Sequence, residues 1–217
     1  MPIDCVIYDC DGVLFDSLAA NRKLYDHIAV SSERAPLADE ELVYCHMHTV
    51  GESIHHLFEE DPEGEARALK FWKEHINFMD FIPYLVMEPH LLETLSSLKE
   101  RGVMTAISTN RTSSMPHIMK RFGLGPYFDM VVTALDVARP KPHPESVMRI
   151  LEALGVRAEA TLYIGDSEID LHTARSAGVT FVAYKNRAIS TGIVIDDHRE
   201  ILKFLGIAGP PPQPPAA

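Results

Sequence analysis

The 217-residue chain has few cysteines and no long apolar run, and these two absences narrow the classes to which it can belong. Only Cys5, Cys10 and Cys45 are present. An odd, sparse set of this kind gives no disulfide framework and suits a reducing compartment. No apolar stretch approaches the roughly 20 residues that a membrane-spanning helix needs, and the N-terminus has no basic segment and no apolar signal-peptide core. We therefore predict a cytoplasmic protein.

Basic residues are also scarce. Lysine and arginine together number 20 against 31 aspartates and glutamates, which gives a formal net charge of -11. Long-range repulsion then opposes binding to nucleic acids and to anionic membranes, so we expect neither as a partner. A small anionic substrate is still compatible with this charge, because a metal ion and one lysine can dominate the local field. The sequence does not define the oligomeric state.

The order of predicted elements indicates an α/β fold. A short apolar run at residues 5–8 predicts a buried strand. From Pro89 onward, strands predicted at 103–108, 130–132, 161–164 and 179–183 alternate with helices predicted at 91–101, 144–154, 168–177 and 196–205. Such alternation is typical of a Rossmann-like parallel sheet with helices on both faces.

The segment between the first strand and Pro89 has a different pattern of predicted secondary structure. It contains helical periodicity at 39–48, 51–59 and 63–78, interrupted by prolines, and almost no strand signal. We predict a small all-helical cap, residues 17–88, inserted after the first strand into a catalytic core of residues 1–16 and 89–207. The proline-rich residues 208–217 are predicted to form a disordered tail.

Polar side chains follow several of the predicted strands. Asp9 and Asp11 come directly after the first strand, and Ser108, Thr109 and Asn110 follow the strand at 103–108. The other two groups are Lys141, held between prolines at a helix start, and the loop that contains Asp166 and Asp170. Parallel strands would bring all four loops to one edge of the sheet, where ligands bind in open α/β folds. The acids suit Mg²⁺, and a hydroxyl with a lysine suits a phosphate.

These four segments resemble the four motifs of the haloacid dehalogenase superfamily, in its phosphatase branch. The segments are DCDGVLFDS at 9–17, STN at 108–110, KPHPE at 141–145 and GDSEIDLHTARSAG at 165–178. The resemblance is closest to phosphoglycolate phosphatase-like hydrolases and covers residues 3 to about 205. It implies a Mg²⁺-dependent phosphatase whose substrate is a small phosphorylated metabolite, such as 2-phosphoglycolate.

The resemblance also implies a role for each matching residue. Asp9 would be the nucleophile, and Asp11 the general acid and then the general base. Mg²⁺ would be bound by the Asp9 carboxylate, the Asp11 backbone carbonyl and the Asp166 carboxylate. The phosphoryl group would be held by Thr109, Asn110 and Lys141. Asp170 would bind the metal, directly or through water, or would orient Lys141.

Several alternatives stay open. A sugar phosphomutase similar to β-phosphoglucomutase would keep both acids of the first motif, whereas a dehalogenase would lack Asp11. A non-catalytic binding module would be favoured by loss of a motif residue, and none is lost. Structural roles compete at single positions. Asp9 and Asp11 could serve as a helix cap, as could Asp16 and Ser17, and Thr109 and Asn110 suit a turn. Lys141 could be a solvated surface lysine and Asp170 an acid on a helix surface. In the predicted cap, we expect His48 or Thr49 to face the substrate.

Overall fold

The computed structural model describes residues 2–206; the predicted tail at 208–217 lies outside them. The strands are β1 (Cys5–Tyr8), β2 (Phe15–Asp16), β3 (Val86–Met87), β4 (Met104–Ser108), β5 (Met130–Val132), β6 (Thr161–Gly165), β7 (Thr180–Tyr184) and β8 (Val194–Ile195). The helices are α1 (Leu18–Ser31), α2 (Asp39–Met47), α3 (Val50–Leu57), α4 (Pro62–His75), α5 (Leu91–Glu100), α6 (Met115–Arg121), α7 (Glu145–Leu154), α8 (Glu168–Ala177) and α9 (Arg199–Phe204).

Six strands form one parallel sheet in the order β5-β4-β1-β6-β7-β8. The central strand β1 is buried at all four positions, as expected for a strand covered on both faces. Helices connect successive strands, and α8 ends at Gly178, whose φ of +72° is a left-handed conformation that glycine adopts without strain. The predicted fold class, an α/β parallel sheet with helices, is therefore confirmed.

Alternate residues of the central strands face opposite sides of the sheet. Ile7 and Tyr163, which are paired in register, belong to a buried cluster with residues of α7 and α8 such as Val147 and Ala174. On the other side, the Tyr8 ring contacts Phe128 edge-on at 6.0 Å between centroids. The two faces together bury the sheet completely around β1.

The residues that the structure describes divide into two compact units, one made of residues 2–15 and 87–206 and the other of Asp16–Val86. The second unit holds α1 to α4 and a seven-residue 3₁₀ helix, Phe78–Tyr84. Its own apolar cluster includes Leu24 and Ile28 of α1, Ile54 of α3 and Ala68 of α4. That these units act as catalytic core and cap stays a prediction.

Three features of the structure were not predicted from the sequence. The strand β8 adds a sixth member to the sheet beyond the strand predicted at 179–183, and β2 pairs with β3. The predicted helix at 63–78 ends at His75, and a separate 3₁₀ helix follows. The helix cap at Asp16 and Ser17, by contrast, was expected from the sequence: Asp16 Oδ1 accepts from the Leu18 N–H, whereas Ser17 makes no side-chain capping bond.

None of the helices within residues 2–206 has both the length and the apolar character that crossing a membrane requires.

A buried histidine anchors the segment after β1 to the C-terminal part of the same unit. His198 Nε2 donates to the Val13 carbonyl at 2.9 Å, and the imidazole ring stacks on Tyr184 at 4.6 Å between centroids. Within the described residues, Nδ1 has no hydrogen-bond partner. Burial lowers the pKa of His198 to about 4, because a charged imidazolium would lose its hydration there.

This histidine should make the fold sensitive to mild acid. The unfolded chain, with a histidine pKa of about 6.5, takes up the proton first as the pH falls. The contribution to stability is therefore complete above pH 6.5 and is lost as the pH falls towards 4, by roughly 2 to 4 kcal/mol. We expect denaturant unfolding between pH 4 and 7 to show a steeper fall in the free energy of unfolding for the native chain than for His198→Gln. Parallel profiles for the two proteins would contradict the assignment.

Candidate active site

The register of the sheet brings three sequence-distant loops together. Tyr8 of β1 pairs with Ile107 of β4 on one side and with Ile164 of β6 on the other. The residue that follows it, Asp9, is therefore level with Ser108 and Gly165, the last residues of those strands. Parallel strands thus place their carboxyl-end loops on one edge, as the sequence predicted.

Lys141 lies at the centre of the resulting cluster. Its ammonium group donates to Asp9 Oδ1 at 2.7 Å, to Asp170 Oδ1 at 2.6 Å and to the Tyr163 hydroxyl oxygen at 3.2 Å. The lysine side chain is 4% exposed, so this is a buried ion pair and not a solvated surface lysine. The structure therefore excludes the surface role that was an alternative for Lys141.

Asn110 fixes the backbone of that lysine. The Asn110 amide group donates to the Lys141 carbonyl at 3.0 Å, and its oxygen accepts from the Lys141 N–H at 3.0 Å. The two loops are thereby joined by a reciprocal pair of hydrogen bonds. Contact of Asn110 with a phosphoryl group stays a prediction.

Thr109 is buried beside this pair. Its Oγ1 accepts from the Arg111 N–H at 3.1 Å, which leaves the hydroxyl O–H as a donor. A hydroxyl that donates into an anionic site suits a phosphoryl oxygen. Its predicted role in phosphate binding is compatible with this position.

Asp170, on the first turn of α8, makes contacts that are compatible with two of its predicted roles. One carboxylate oxygen accepts from Lys141 and from the Tyr163 hydroxyl at 3.0 Å, and the other accepts from the Ser167 N–H at 3.2 Å in a capping box. The carboxylate therefore orients Lys141. It also lies with Asp9 and Asp166 in a group of acids whose ligand oxygens are all within 4.8 Å of one another.

The electrostatics of the cluster favour an added positive charge. Burial raises the pKa of Asp9 to about 7, and repulsion from Asp170 adds to this against the opposing charge of Lys141. Burial and repulsion from Asp9 raise the pKa of Asp166 to about 8. Burial lowers the pKa of Lys141, but Asp170 and Asp9 outweigh it and hold that pKa well above its usual range. Carboxyls with raised pKa values and convergent oxygens fit a hard divalent cation such as Mg²⁺.

Two glycines leave the space that the closely packed acidic side chains occupy. A Cβ at Gly12 would lie 1.9 Å from Asp166 Oδ2, and a Cβ at Gly165 would lie 2.3 Å from the Cβ of Asp170. Both positions therefore leave room only for a hydrogen atom. Gly12 also has a φ of +71°, which disfavours any other residue.

Two residues of the cluster were missed by the sequence reasoning. Tyr163, on β6, bridges Lys141 and Asp170, and Arg111 donates from Nε and Nη2 to the two carboxylate oxygens of Asp11 at 2.7 and 2.5 Å. Arg111 directly follows the STN segment, and Tyr163 is an aromatic residue with a polar tip within a buried strand. Both features were visible in the sequence, but neither indicates which residue Arg111 or Tyr163 would contact.

The two expected cap residues already have local partners within the helical unit. His48 Nδ1 donates to the Tyr44 carbonyl at 2.8 Å, and its ring stacks on Tyr44 at 3.9 Å between centroids. Thr49 is the N-cap of α3, where its Oγ1 accepts from the Glu52 N–H. The Thr49 hydroxyl thus has a structural role, and contact of either residue with substrate stays a prediction.

Comparison with known proteins yields one protein family. A family model described as haloacid dehalogenase-like hydrolase matches residues 6–184. A phosphoglycolate phosphatase of Rhodobacter capsulatus is 31% identical over 195 residues, which is 82% of this chain and 83% of that protein. The pyrophosphatase PpaX of Oceanobacillus iheyensis is 24% identical over 216 residues, 95% of this chain and 98% of that protein.

Solved structures of other proteins are also similar to this chain. A HAD-superfamily hydrolase of Geobacter sulfurreducens has a TM-score of 0.80 at 37% identity and covers 94% of this chain and 97% of its own. A β-phosphoglucomutase of Clostridium difficile has a TM-score of 0.74 at 17% identity, with 94% of this chain and 96% of its own covered. At 17% identity, the similarity to the β-phosphoglucomutase shows only that the two proteins share a fold.

The close contact at Gly12 should make this position intolerant of a methyl group. We expect Gly12→Ala to lower the free energy of unfolding by ~1–2 kcal/mol for the left-handed backbone and by a further ~1–3 kcal/mol for overpacking against Asp166. Gly123→Ala is the matched control, since Gly123 has a φ of +64° and no atom within 4 Å of the place that an added methyl group would take. Equal losses in chemical denaturation of the two variants would show that Asp166 does not restrict position 12.

Proposed function

The chain belongs to the haloacid dehalogenase-like hydrolase family, and on that basis we propose that it is a Mg²⁺-dependent phosphatase that acts on a small phosphorylated metabolite through a phosphoaspartate on Asp9. The observation that carries the proposal is the contact of the Asp9 carboxylate with the buried Lys141 ammonium at 2.7 Å. This contact supports the proposal, because a carboxylate oxygen is a nucleophile for phosphorus and an ammonium group is a ligand for phosphoryl oxygens.

We assign the first chemical step to Asp9. Lys141 holds one carboxylate oxygen, and the other attacks phosphorus, so that an Asp9–phosphorus bond forms as the bond from phosphorus to the ester oxygen breaks. Lys141 and the Thr109 hydroxyl would hold the phosphoryl oxygens. The Lys141 charge also reduces the repulsion between an anionic nucleophile and an anionic substrate.

Asp11 would handle the proton in both steps. It gives a proton to the departing ester oxygen, and it then takes a proton from the water that attacks the phosphoaspartate and releases inorganic phosphate. Its place two residues after Asp9 puts it on the same edge of the sheet, and its carboxylate is held by Arg111 in the structure.

The convergent acids fit Mg²⁺, as their raised pKa values and their short oxygen separations indicate. The residues that would hold the ion are Asp9 and Asp166, together with the Asp11 carbonyl that the family resemblance implies and Asp170 directly or through water. When bound, the ion supplies charge neutralisation at the phosphoryl group.

We propose the substrate from the activities of the proteins to which this chain is similar in sequence. We propose 2-phosphoglycolate as the first candidate because a phosphoglycolate phosphatase is 31% identical over 82% of this chain. Pyrophosphate is the second candidate, supported by the match to a pyrophosphatase along 95% of it. A sugar phosphomutase is supported only by likeness of fold. A cytoplasmic location stays our prediction.

Substitution of the two motif acids should separate their roles. We expect Asp9→Asn to abolish phosphate release, because an amide oxygen does not displace the ester, and Asp11→Asn to lower the rate by about 10²–10⁴-fold, the usual contribution of a general acid–base group. The measurement is inorganic phosphate released from a panel of phosphomonoesters and pyrophosphate, with circular dichroism to confirm folding. Turnover by folded Asp9→Asn would rule out the aspartyl intermediate.

Metal removal tests the other half of the proposal. We expect EDTA to abolish turnover, Mg²⁺ to restore it, and Asp166→Asn to raise the Mg²⁺ concentration needed for half-maximal activity at least about tenfold, since it removes one charged ligand. Asp136→Asn, which alters an exposed acid bonded to Thr133, is the matched control. Full activity of metal-free protein would exclude the metal-dependent reaction.

A further inference from the structure

The pair formed by Arg111 and Asp11 is not explained by the proposed reaction. Two guanidinium nitrogens donate to the two oxygens of one carboxylate at 2.7 and 2.5 Å, the bidentate geometry that arginine and carboxylate favour. The Arg111 side chain is only 16% exposed. A nearly buried guanidinium therefore contacts both oxygens of Asp11, the half-buried residue assigned to acid–base chemistry.

The acid–base role requires one of those oxygens for another partner. The ester oxygen of a bound substrate has to come within hydrogen-bond distance of the Asp11 carboxyl group, about 2.6–3.2 Å. The proton that Asp11 gives to the ester oxygen is carried by one of these two oxygens, and a protonated oxygen is a poor acceptor for the N–H of Arg111 that faces it. A guanidinium N–H released in a nearly buried place needs a new acceptor, because an unpaired buried donor is costly and more so when it is charged.

The substrate itself is the nearest source of that acceptor. The part of a substrate that leaves as an alcohol is bonded to the ester oxygen, so it begins within one hydrogen bond of Asp11 and beside the guanidinium. The Arg111 backbone N–H is bonded to Thr109 Oγ1 and its Nη1 is 3.5 Å from Ser114 Oγ. These contacts hold the arginine in the loop after β4, next to the proposed phosphoryl site.

We propose that Arg111 is a specificity-determining residue that exchanges Asp11 for a second anionic group of the substrate. That group is a carboxylate or a phosphoryl group carried within two or three bonds of the ester oxygen, since a planar fork of donors matches either one. The substrate class is then phosphoesters or anhydrides whose leaving group is itself anionic. This inference rests on the proposed function and specifies its substrate.

The wild-type test compares two substrates that differ at one group. 2-Phosphoglycolate and 2-hydroxyethyl phosphate share the phosphoester and the two-carbon leaving group, and only the first carries a carboxylate. We expect kcat/KM to be at least about tenfold higher for 2-phosphoglycolate. Pyrophosphate, whose leaving group is itself a phosphate, is the third substrate. A higher kcat/KM for pyrophosphate than for 2-hydroxyethyl phosphate would identify a phosphoryl group as a ligand of Arg111. Equal kcat/KM values across all three substrates would overturn the inference.

Variants then assign the preference to this side chain. We expect Arg111→Gln to lower kcat/KM about 10- to 100-fold more for the anionic substrate that the wild type prefers than for 2-hydroxyethyl phosphate. Arg111→Lys keeps the charge without the fork and should recover part of the loss. Arg199→Gln is the control, because Arg199 donates from Nε and Nη2 to Asp197 in the same bidentate manner outside this cluster. It should leave the substrate preference unchanged.

The outcomes distinguish the inference from the proposed function. A uniform fall for all substrates in both Arg111 variants would mean that Arg111 only positions Asp11, and the inference would fail while the phosphatase reaction stood. No phosphate release by the wild type from any member of the panel would instead reject the proposed function. Should Arg111→Gln not fold, the wild-type comparison and Arg111→Lys decide the question.

Discussion

The buried ammonium group of Lys141 is the interaction on which the rest of this site depends. Asp9 and Asp170 accept from it at 2.7 and 2.6 Å, and in its absence two carboxylates would face each other with little access to water. Asp166 lies in the same group of acids and Asp11 is paired with Arg111. Four carboxylates thus face two cations, which leaves a deficit equal to the charge of one divalent ion. The raised pKa values of Asp9 and Asp166 result first from burial and then from repulsion within this excess of negative charge.

The fold supplies the placement that this balance needs. The contributors come from four separate segments of the chain, and the parallel sheet brings the ends of β1, β4 and β6 level with one another. Local structure then refines the positions. The capping box of α8 directs Asp170 towards Lys141, and glycines at 12 and 165 let the backbone approach the acids closely. No one segment would form the site alone, because the charges stabilise one another only when all the loops are in place.

Much of this could be predicted from the sequence, and the failures have physical reasons. Asp9, Asp11, Lys141, Asp166 and Asp170 follow or begin regular elements with strong periodic signals, so their place at one sheet edge was predictable. Strand β8 has only two residues, too few for any period to emerge. Arg111 and Tyr163 were missed because an ion pair or a hydrogen bond across 100 or 22 residues of chain leaves no local pattern. The hydroxyl of Thr49 caps α3, a role that the Thr-x-x-Glu pattern at 49–52 already indicated; whether His48 or Thr49 faces the substrate stays a prediction.

The reciprocal bonds between Asn110 and the backbone of Lys141 have a consequence for how such a protein can be recombined. The position of the lysine is specified by an asparagine 31 residues earlier in the chain. A chimera with a relative, made with a crossover between these two positions, could inherit every charged residue of the site and still lose the placement of its lysine. The segment from the end of β4 to the start of α7 is therefore best exchanged as one block, because the hydrogen bonds between its two ends determine where Lys141 lies.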